Sequence, residues 1–402
     1  MARVLLLLPT ATYRAPDFLA AAQRLGVEVV VGSEHRQALS RSMGDRAVVV
    51  PLRDVDAAVD VIAALHARSP LDAVVAVDDQ GLGVAAASSQ RLGLRQNSVA
   101  SVAATRDKSV MRELLAFSSV RQPDFSVLHP GDDVLASAEA LGYPCVLKPV
   151  SRSASQGVIR VDNAAQASSA VARIRAMLED EPQNLLVESY VPGDEVAVEG
   201  LLTAGQLEVL AVFDKPDPLE GPYFEETIYV TPSRLPSSAL EKIRLVSGEA
   251  AAALGLVEGP VHVELRVGND GNVTLLELAA RSIGGLCSRA LSFGAGVSLE
   301  EVILRHALGL GMDELSREVR ASGVMMLPIR AAGVLKSVKG RNRALAVEGI
   351  VGLDITIAPG RALVPLPEGN RYLGFIFARG PNPASVETSL RLAEACLEVI
   401  LE

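Results

Sequence analysis

The sequence predicts an α/β protein with a parallel sheet in its first domain and α+β organisation further along the chain. Three observations support this fold class. The chain has 402 residues, 49% of them hydrophobic and 21% charged, which fits a globular protein of two or three domains. Strand and helix patterns alternate through roughly the first 100 residues, which is typical of a parallel sheet covered by helices. From Glu195 the pattern becomes rich in strands.

The N-terminal elements are predicted from short apolar runs and from amphipathic periodicity. We expect strands at 4–8, 27–31, 48–51 and 73–78, and helices near 16–25, 55–67 and 83–92. No Gly-x-Gly-x-x-Gly motif follows the first strand, so a nicotinamide-binding site has little support. A ligand site at the carboxyl ends of these strands, near Thr10, Asp78 and Asp79, stays open.

The rest of the chain is predicted to form the strand-rich part and a further unit. Helices are expected near 107–117, before Gly142, near 164–179 and over 238–254. Strands are expected in YPCVLKPV, in NLLVES and between 195 and 212. The polar, proline-rich segment 214–236 is predicted to be a long loop over a site. Beyond residue 310 we expect strands at 322–328, 353–358 and 372–378 and a final helix at 384–400.

Charge and cysteine content limit the classes of partner and the compartment. The formal charge of −10 argues against a general surface for nucleic acid or other polyanions. An anionic ligand would therefore be held by a few local lysines, arginines and backbone amides. Three widely spaced cysteines suggest neither a disulfide framework nor a zinc site, which favours a cytoplasmic protein. No run of about 20 apolar residues indicates a membrane span, and the apolar start is too short for a secretory signal.

The segment HVELRVGNDGNVTLLELAARSIGG, residues 262–285, predicts a β-hairpin that brings two carboxylates together. Its Asp-Gly turn between alternating apolar residues is a strong hairpin signal. Counting outward from the turn places Arg266 opposite Leu275 and Glu264 opposite Glu277. Opposed like charges destabilise a sheet, so we expect a cation between the two glutamates. A turn that shifts the register by one residue would instead send the glutamates to opposite faces.

Two lysines and a small-residue loop form a candidate phosphate site. Lys148 lies in an apolar strand, and because lysine is almost never fully buried unless paired, we expect it to face a ligand cleft. The alternative is a solvent-facing residue on an edge strand. The loop Ser151–Gly157, SRSASQG, follows at once and could bring backbone N–H groups and hydroxyls to phosphate oxygens. Lys108 lies on the first turns of a helix, where the alternative is a solvated surface lysine.

Further polar candidates lie near strand ends. Glu188 ends an apolar strand and Glu195 opens the next, so this hinge is a candidate for receiving a nucleobase and its ribose, with a plain turn as the alternative. His262 shares the face of Glu264, two residues away on one strand, with a structural histidine as the alternative. Arg281 precedes a Gly-Gly turn and is placed to bind a carboxylate or phosphate in bidentate fashion.

Taken in order, these motifs resemble those of the ATP-grasp superfamily. The helix lysine, the strand lysine before a small-residue loop, VESYVPGDE and the HVEL…LLELAAR hairpin match that family in order and approximate spacing over about residues 100–308. Within the superfamily the chain looks most like the carboxylate–amine ligases that include bacterial L-amino acid ligases. The segments GVMMLPIRAAGVLKSVKG and YLGFIFARGPNPASVETSLRLA are similar to the C-terminal domain of those ligases. The resemblance implies an N-terminal Rossmann-like α/β domain over 1–100, an ATP-grasp domain over 101–308 and a C-terminal α+β domain over 309–402.

The resemblance also implies roles for the candidate residues. Arg281 would bind the substrate carboxylate or its phosphorylated form, and His262 and Lys148 complete the catalytic set. Glu264 and Glu277 would hold Mg²⁺ (or Mn²⁺). In the ATP site, Lys108 and Lys148 would contact the phosphates, and Ser155 and Gly157 would belong to the flap that closes over them. The adenine-binding strand would include Glu188, Tyr190 and Val191, and Glu195 would bind the ribose. One departure is Ala279, where many relatives have asparagine as a further metal ligand, so one metal site would be weaker or completed by water.

The activity that the resemblance implies is ATP-dependent amide or peptide bond formation. A carboxylate and an amine, one of them an amino acid, would be joined through an acyl phosphate with release of ADP and phosphate. The implied partners are small molecules and, as in relatives, a second copy of the chain in a homodimer, with no nucleic acid or membrane partner. Two alternatives stay open: a carboxylase or nucleotide-pathway ligase that uses bicarbonate or another small acid, and a regulatory protein that binds ATP without turnover.

Overall fold

The structure is a computed structural model that describes residues 1–402 except 11, 37–43, 179–182, 295 and 313–315. Its N-terminal part contains the strands β1 (Arg3–Leu7), β2 (Glu28–Ser33), β3 (Ala47–Val49) and β4 (Ala73–Ala76). They pair in parallel in the order β3-β2-β1-β4, so the carboxyl ends of β1 and β4 lie side by side. Every residue of β1 is buried, which accounts for its continuous apolar run. The helices are α1 (Ala15–Leu25), α2 (Val55–Arg68) and α3 (Leu82–Leu92).

A second, antiparallel sheet follows two short helices. The helices of this part are α4 (Val99–Arg106), α5 (Lys108–Leu115), α6 (Val134–Leu141) and α7 (Ala164–Met177). Its strands are β5 (Phe125–Leu128), β6 (Cys145–Pro149), β7 (Ile159–Val161) and β8 (Leu185–Ser189), in the order β5-β8-β6-β7. The predicted helix 164–179 is confirmed as far as 177, and its last residue lies outside the described residues.

The remaining strands form one large and one small antiparallel sheet. In chain order they are β9 (Asp194–Thr203), β10 (Gln206–Asp214), β11 (Ile228–Thr231), β12 (Gly259–Val267), β13 (Val273–Ala279), β14 (Ala321–Leu327), β15 (Gly333–Lys339), β16 (Ile350–Ile355), β17 (Ala362–Leu363), β18 (Gly374–Gly380) and β19 (Glu398–Leu401). The large sheet has the order β13-β12-β9-β10-β11-β14-β18-β16, and the small sheet has the order β17-β15-β19. The helices α8 (Ser237–Ala253), α9 (Leu299–Ala307), α10 (Arg341–Leu345) and α11 (Pro383–Ala395) complete the fold.

The large sheet connects the central and C-terminal parts of the chain. Strand β11 pairs with β10 on one side and with β14 on the other, so the sheet continues past the predicted boundary at residue 308. The buried side chains Phe213, Tyr229 and Phe375 belong to one core cluster that also includes residues of β1 and α1. The N-terminal, central and C-terminal parts therefore share a core, and the cavity described below lies where they meet.

Two predictions about secondary structure are wrong in part. The segment 214–236 is not a continuous loop, because Ile228–Thr231 forms β11, and its run of β-branched and aromatic residues suits a strand. The predicted helix 384–400 ends at Ala395, and Glu398–Leu401 turns back to pair with β15. Within the described part of the chain, no helix combines the length and apolar character needed to cross a bilayer.

The β12–β13 hairpin brings the two glutamates together by a different route from the one predicted. Near the turn, Arg266 pairs with Thr274 and not with Leu275, so the predicted register is wrong there by one residue. A bulge at Leu276 places an extra residue in β13, and beyond it Glu264 pairs with Glu277 as predicted. Both carboxylates therefore reach the same cavity because an irregularity in the strand corrects the register set by the turn.

Candidate active site

A cavity of about 470 Å³ opens where four parts of the structure meet: the parallel N-terminal sheet, the antiparallel sheet β5-β8-β6-β7, the large sheet and the segment 370–372. This volume lies in the usual range for small-molecule sites. Asp78 and Asp79 bring the carboxyl end of β4 to the cavity, at the sheet edge where the sequence left a ligand site open. The cavity brings together most of the predicted site residues: Lys108, Lys148, Ser155, Glu188, Tyr190, Val191, Glu195, His262, Glu264, Glu277 and Arg281. Gly157 is the exception, since it does not line the cavity.

Lys148 faces the cavity within a buried ion-pair triad. Its strand β6 pairs with β8 on one side and β7 on the other, so the edge-strand alternative is wrong. The ammonium of Lys148 lies 2.6 Å from Glu188 Oε2, and Arg112 Nε donates to Glu188 Oε1 at 2.7 Å. Burial would raise the pKa of Glu188, but Arg112 and Lys148 together hold it below its usual value. Both carboxylate oxygens of Glu188 are thus paired with cations of the protein itself.

The helix α5 places a second lysine against the hairpin. Asp107 caps the helix by accepting hydrogen bonds from the backbone N–H groups of Ser109 and Val110, which makes Lys108 the first helical residue. Its ammonium donates to the backbone carbonyl of Arg152 at 2.6 Å and to Glu277 Oε1 at 3.2 Å. Lys108 is buried, so the alternative of a solvated surface lysine is wrong.

The loop Ser151–Gly157 is held against the C-terminal part of the chain. Ala154 and Ser155 both line the cavity and have left-handed backbone, with φ of 54° and 55°. The backbone N–H of Gly157 donates to the carbonyl of Pro367 at 2.9 Å, and Gln156 Nε2 donates to the carbonyl of Glu368 at 2.7 Å. The loop therefore presents its first half to the cavity and ties its second half to the segment 365–369.

Glu264 and Glu277 form the acidic wall of the cavity and are contacted by different cations. Lys108 contacts Glu277, whereas Lys215 lies 3.3 Å from Glu264 and His262 Nε2 lies 3.5 Å from it. Carboxylate oxygens are the ligands that Mg²⁺ prefers, and both side chains are partly accessible from the cavity. The donor set therefore fits the predicted divalent cation.

A lysine-centred cluster beside this wall was not predicted from the sequence. The buried ammonium of Lys215 contacts the carboxylates of Glu195, Glu226 and Glu264, and one oxygen from each of the three lies within 4.8 Å of the other two. Burial would lower the pKa of Lys215, but the three glutamates raise it well above its usual value. The sequence did contain a signal for Lys215, because this lysine directly follows an apolar strand, whereas Lys148 lies within one. Glu226 had no such signal in its polar surroundings.

His262 and Arg281 are each anchored by a carboxylate. His262 Nδ1 lies 2.6 Å from Glu199 Oε1, and although burial opposes protonation, Glu199 and Glu264 raise the pKa of His262 to about 9. Arg281 Nε donates to Asp79 Oδ1 at 2.6 Å, which links the end of the hairpin to the N-terminal part. Asp79 raises the pKa of Arg281 against the effect of burial. The guanidinium is therefore oriented before any ligand arrives.

Three family profiles match successive parts of the chain. The ATP-grasp N-terminal domain matches residues 19–95, the ATP-grasp domain matches 141–290, and the L-amino acid ligase C-terminal domain 2 matches 325–402. The predicted recognition of an ATP-grasp chain with an L-amino acid ligase C-terminal domain is confirmed.

Curated relatives and solved structures agree with this. Alanine–anticapsin ligase of Bacillus subtilis (strain 168) is 27% identical over 53% of the chain and 49% of its own length. D-Alanine–D-alanine ligase of Ralstonia nicotianae is 26% identical over 54% of the chain and 65% of its own length. The chain spans about half of the length of the curated relatives that it matches most significantly. The crystal structure of an L-amino acid ligase from Bacillus licheniformis is 25% identical with a TM-score of 0.83, covering 100% of this chain and 99% of that one, so the predicted fold class is confirmed.

Proposed function

We propose that this chain, which belongs to the ATP-grasp superfamily, is an ATP-dependent ligase that joins a carboxylate to an amine with an amino acid as one substrate. The observation that carries the proposal is the cavity itself. Its lining includes the cations Lys108, Lys148 and Arg281, and the hairpin contributes the carboxylates Glu264 and Glu277. Such a site can hold a polyphosphate and a divalent cation together, which is what phosphoryl transfer requires.

The ATP phosphates would bind against Lys108 and Lys148. Both ammonium groups are buried at the cavity surface and are fixed by protein carboxylates, so they require little ordering when a phosphate arrives. The loop bearing Ser155 and Gly157 would act as the flap over the phosphates. When bound by Glu264 and Glu277, Mg²⁺ would supply charge neutralisation on the phosphate oxygens.

The nucleoside would bind along the strand end at Glu188–Val191. Because the Glu188 side chain is already held by Arg112 and Lys148, this strand would contact adenine through its backbone and through Tyr190 and Val191. Glu195 lies further along the cavity, where its carboxylate is held by Lys215 and Arg266. It would accept hydrogen bonds from the ribose hydroxyls.

The reaction follows from holding the acid at Arg281 beside the phosphates. An oxygen of the acid attacks the γ-phosphorus, the bond from that phosphorus to the leaving oxygen of ADP breaks, and an acyl phosphate forms. The amine nitrogen then attacks the acyl carbon and loses a proton, and phosphate leaves with the carboxylate oxygen. Because acyl phosphates hydrolyse readily, the flap loop and the 214–236 segment would exclude water during both steps.

The test is phosphate release from ATP and Mg²⁺ in the presence of single amino acids, amino-acid pairs and small acids including bicarbonate. We expect release that depends on an amino acid, and a hydroxamate when hydroxylamine replaces the amine. The variant Glu277→Gln serves as the control for contaminating ATPases. Release that depends on bicarbonate alone would support the carboxylase alternative, and ATP binding without turnover on any acid would support the regulatory alternative.

A further inference from the structure

The cations of the cavity differ in how they are neutralised. Four of them pair with a carboxylate of the protein itself, in the pairs Lys108–Glu277, Lys148–Glu188, Arg266–Glu195 and Arg281–Asp79. Arg371 also lines the cavity, yet none of the carboxylates in the described part of the chain lies within 4 Å of its guanidinium. Its positive charge is therefore available to an anionic ligand in a way that the paired cations are not.

Arg371 is held in place by an aromatic side chain and not by an acid. Its Nε donates to Tyr13 Oη at 3.2 Å, and its guanidinium carbon lies 5.7 Å from the centroid of the same ring. Among the described residues, no hydrogen bond engages the two terminal nitrogens. A guanidinium fixed at Nε with both Nη atoms open can bind a carboxylate through two parallel hydrogen bonds.

The aromatic side chain that supports Arg371 packs against a buried phenylalanine. Phe375 is fully buried in β18 and makes edge contacts with Tyr13 at 6.1 Å and with Tyr372 at 5.9 Å between centroids. These contacts join the N-terminal part to the segment that carries Arg371. The guanidinium is thus positioned by packing that exists before a ligand binds.

The position of Arg371 associates it with the acid-binding end of the cavity. Tyr13 follows β1 and Asp79 follows β4, and these strands are paired neighbours whose carboxyl ends lie together. Arg371 is held by Tyr13 and Arg281 is held by Asp79, so both arginines approach the same edge of the parallel sheet. Arg281 is the proposed ligand of the reacting carboxylate, and Arg371 is a second arginine at that end.

We infer that Arg371 binds a substrate carboxylate that takes no part in the reaction, which makes it a specificity-determining residue for substrates with such a group. This inference rests on the proposed ligase function. The carboxylate has two sources with the same chemistry: the α-carboxylate of an amino acid that supplies the amine, or a second carboxylate on the acid. In either case the site discriminates against a neutral substrate at this position.

Binding and turnover together test the inference. The protein with Mg²⁺ and the ATP analogue AMP-PNP is titrated with the twenty L-amino acids, their α-carboxamides, the dicarboxylates succinate and glutarate, and the matching monocarboxylates propionate and butyrate. Turnover is measured as phosphate release with ATP and the same compounds. Wild type is compared with Arg371→Gln, with Arg371→Lys and with the control Arg361→Gln, an exposed arginine that does not line the cavity.

We expect Arg371→Gln to weaken binding, and raise KM, for the carboxylate-bearing substrate roughly 10- to 100-fold, with little change in kcat. Binding of the matching carboxamide stays unchanged, so the preference for the free acid is lost. Arg371→Lys restores part of that preference, and Arg361→Gln behaves as wild type. If Arg371→Gln no longer discriminates against carboxamides, the non-reacting carboxylate belongs to the amine substrate. If the variant no longer discriminates between dicarboxylates and monocarboxylates, that carboxylate belongs to the acid substrate.

Three outcomes would overturn the inference: equal affinity of Arg371→Gln and wild type for every ligand, an effect confined to the KM for ATP, or no binding of any carboxylate to the wild-type complex. Failure of the proposed function gives a different pattern. In that case a carboxylate binds in an Arg371-dependent manner, but no acid supports phosphate release.

Discussion

Replacing Glu188 by glutamine should destabilise the protein severely, because this carboxylate is the only anion of the Arg112–Glu188–Lys148 triad. The substitution removes one negative charge from between two buried cations that lie 2.7 Å and 2.6 Å from its oxygens. Breaking a buried ion pair by removing one partner costs about 3–5 kcal/mol, since the remaining charge stays buried without compensation. With a urea m-value of about 2.5 kcal/mol/M, the unfolding midpoint should fall by about 1–2 M.

The pH dependence of that loss has a definite sign. The pKa of Glu188 is lower in the folded protein than its usual value of 4.5, so its stabilising contribution is present above about pH 4.5 and disappears as the pH falls through the lowered pKa. The difference in unfolding free energy between wild type and Glu188→Gln should be full at pH 7 and should shrink in acid.

The assay is urea unfolding followed by circular dichroism at pH 7 and at pH 4. The control is Glu241→Gln, which removes a carboxylate from the exposed pair with Arg244 and should leave the midpoint unchanged. A midpoint for Glu188→Gln within about 0.2 M of wild type at pH 7 would refute the reasoning, because it would mean that the triad is not an isolated buried charge system.

Three further predictions concern the cavity. Lys148→Met should weaken binding of AMP-PNP roughly 10- to 100-fold by isothermal titration calorimetry, because a charged donor to the phosphates is lost. Glu277→Gln should lower kcat for acid-dependent phosphate release by about 100-fold or more and raise the Mg²⁺ concentration needed, because one metal ligand becomes neutral. Asp79→Asn should lower kcat/KM for the acid about 10-fold, because Arg281 loses the carboxylate that orients it.

Matched controls for these variants lie on exposed surfaces outside the cavity. Lys336→Met, Glu208→Gln and Asp56→Asn make the same chemical changes at exposed positions and should behave as wild type. If Lys148→Met and wild type bind AMP-PNP with equal affinity, Lys148 does not contact the phosphates and the prediction is wrong. Unchanged Mg²⁺ dependence in Glu277→Gln, or unchanged acid kinetics in Asp79→Asn, would contradict the corresponding role.

Local patterns in the sequence predicted much of the fold and several members of the site. Apolar runs and helical periodicity located most of the elements, and an unexpected lysine in an apolar strand marked Lys148. The pairing of Glu264 with Glu277 was predicted correctly, although the register predicted next to the turn was wrong by one residue. The bulge at Leu276 compensates for that difference. A bulge depends on contacts from other elements, here including the hydrogen bond from Arg112 Nη2 to the Leu276 carbonyl, and no turn signal reveals it.

What the sequence could not show was mainly the choice of partners over long distances. Glu226 joins the Lys215 cluster and Tyr13 supports Arg371 only after distant strands are brought together. Such pairings leave no spacing pattern in the chain. One signal was available, because Lys108 and Arg112 are four residues apart and therefore share a helix face.

The central claim is that the acid is activated by direct phosphorylation, and transfer of ¹⁸O tests it most directly. The acid found to support phosphate release is labelled with ¹⁸O in its carboxylate, the reaction is run with ATP, Mg²⁺ and the amine, and the released phosphate is examined by ³¹P NMR. Activation through an acyl phosphate predicts one ¹⁸O atom in each phosphate formed with product. Phosphate free of ¹⁸O, formed at the same rate as the amide, would contradict the account.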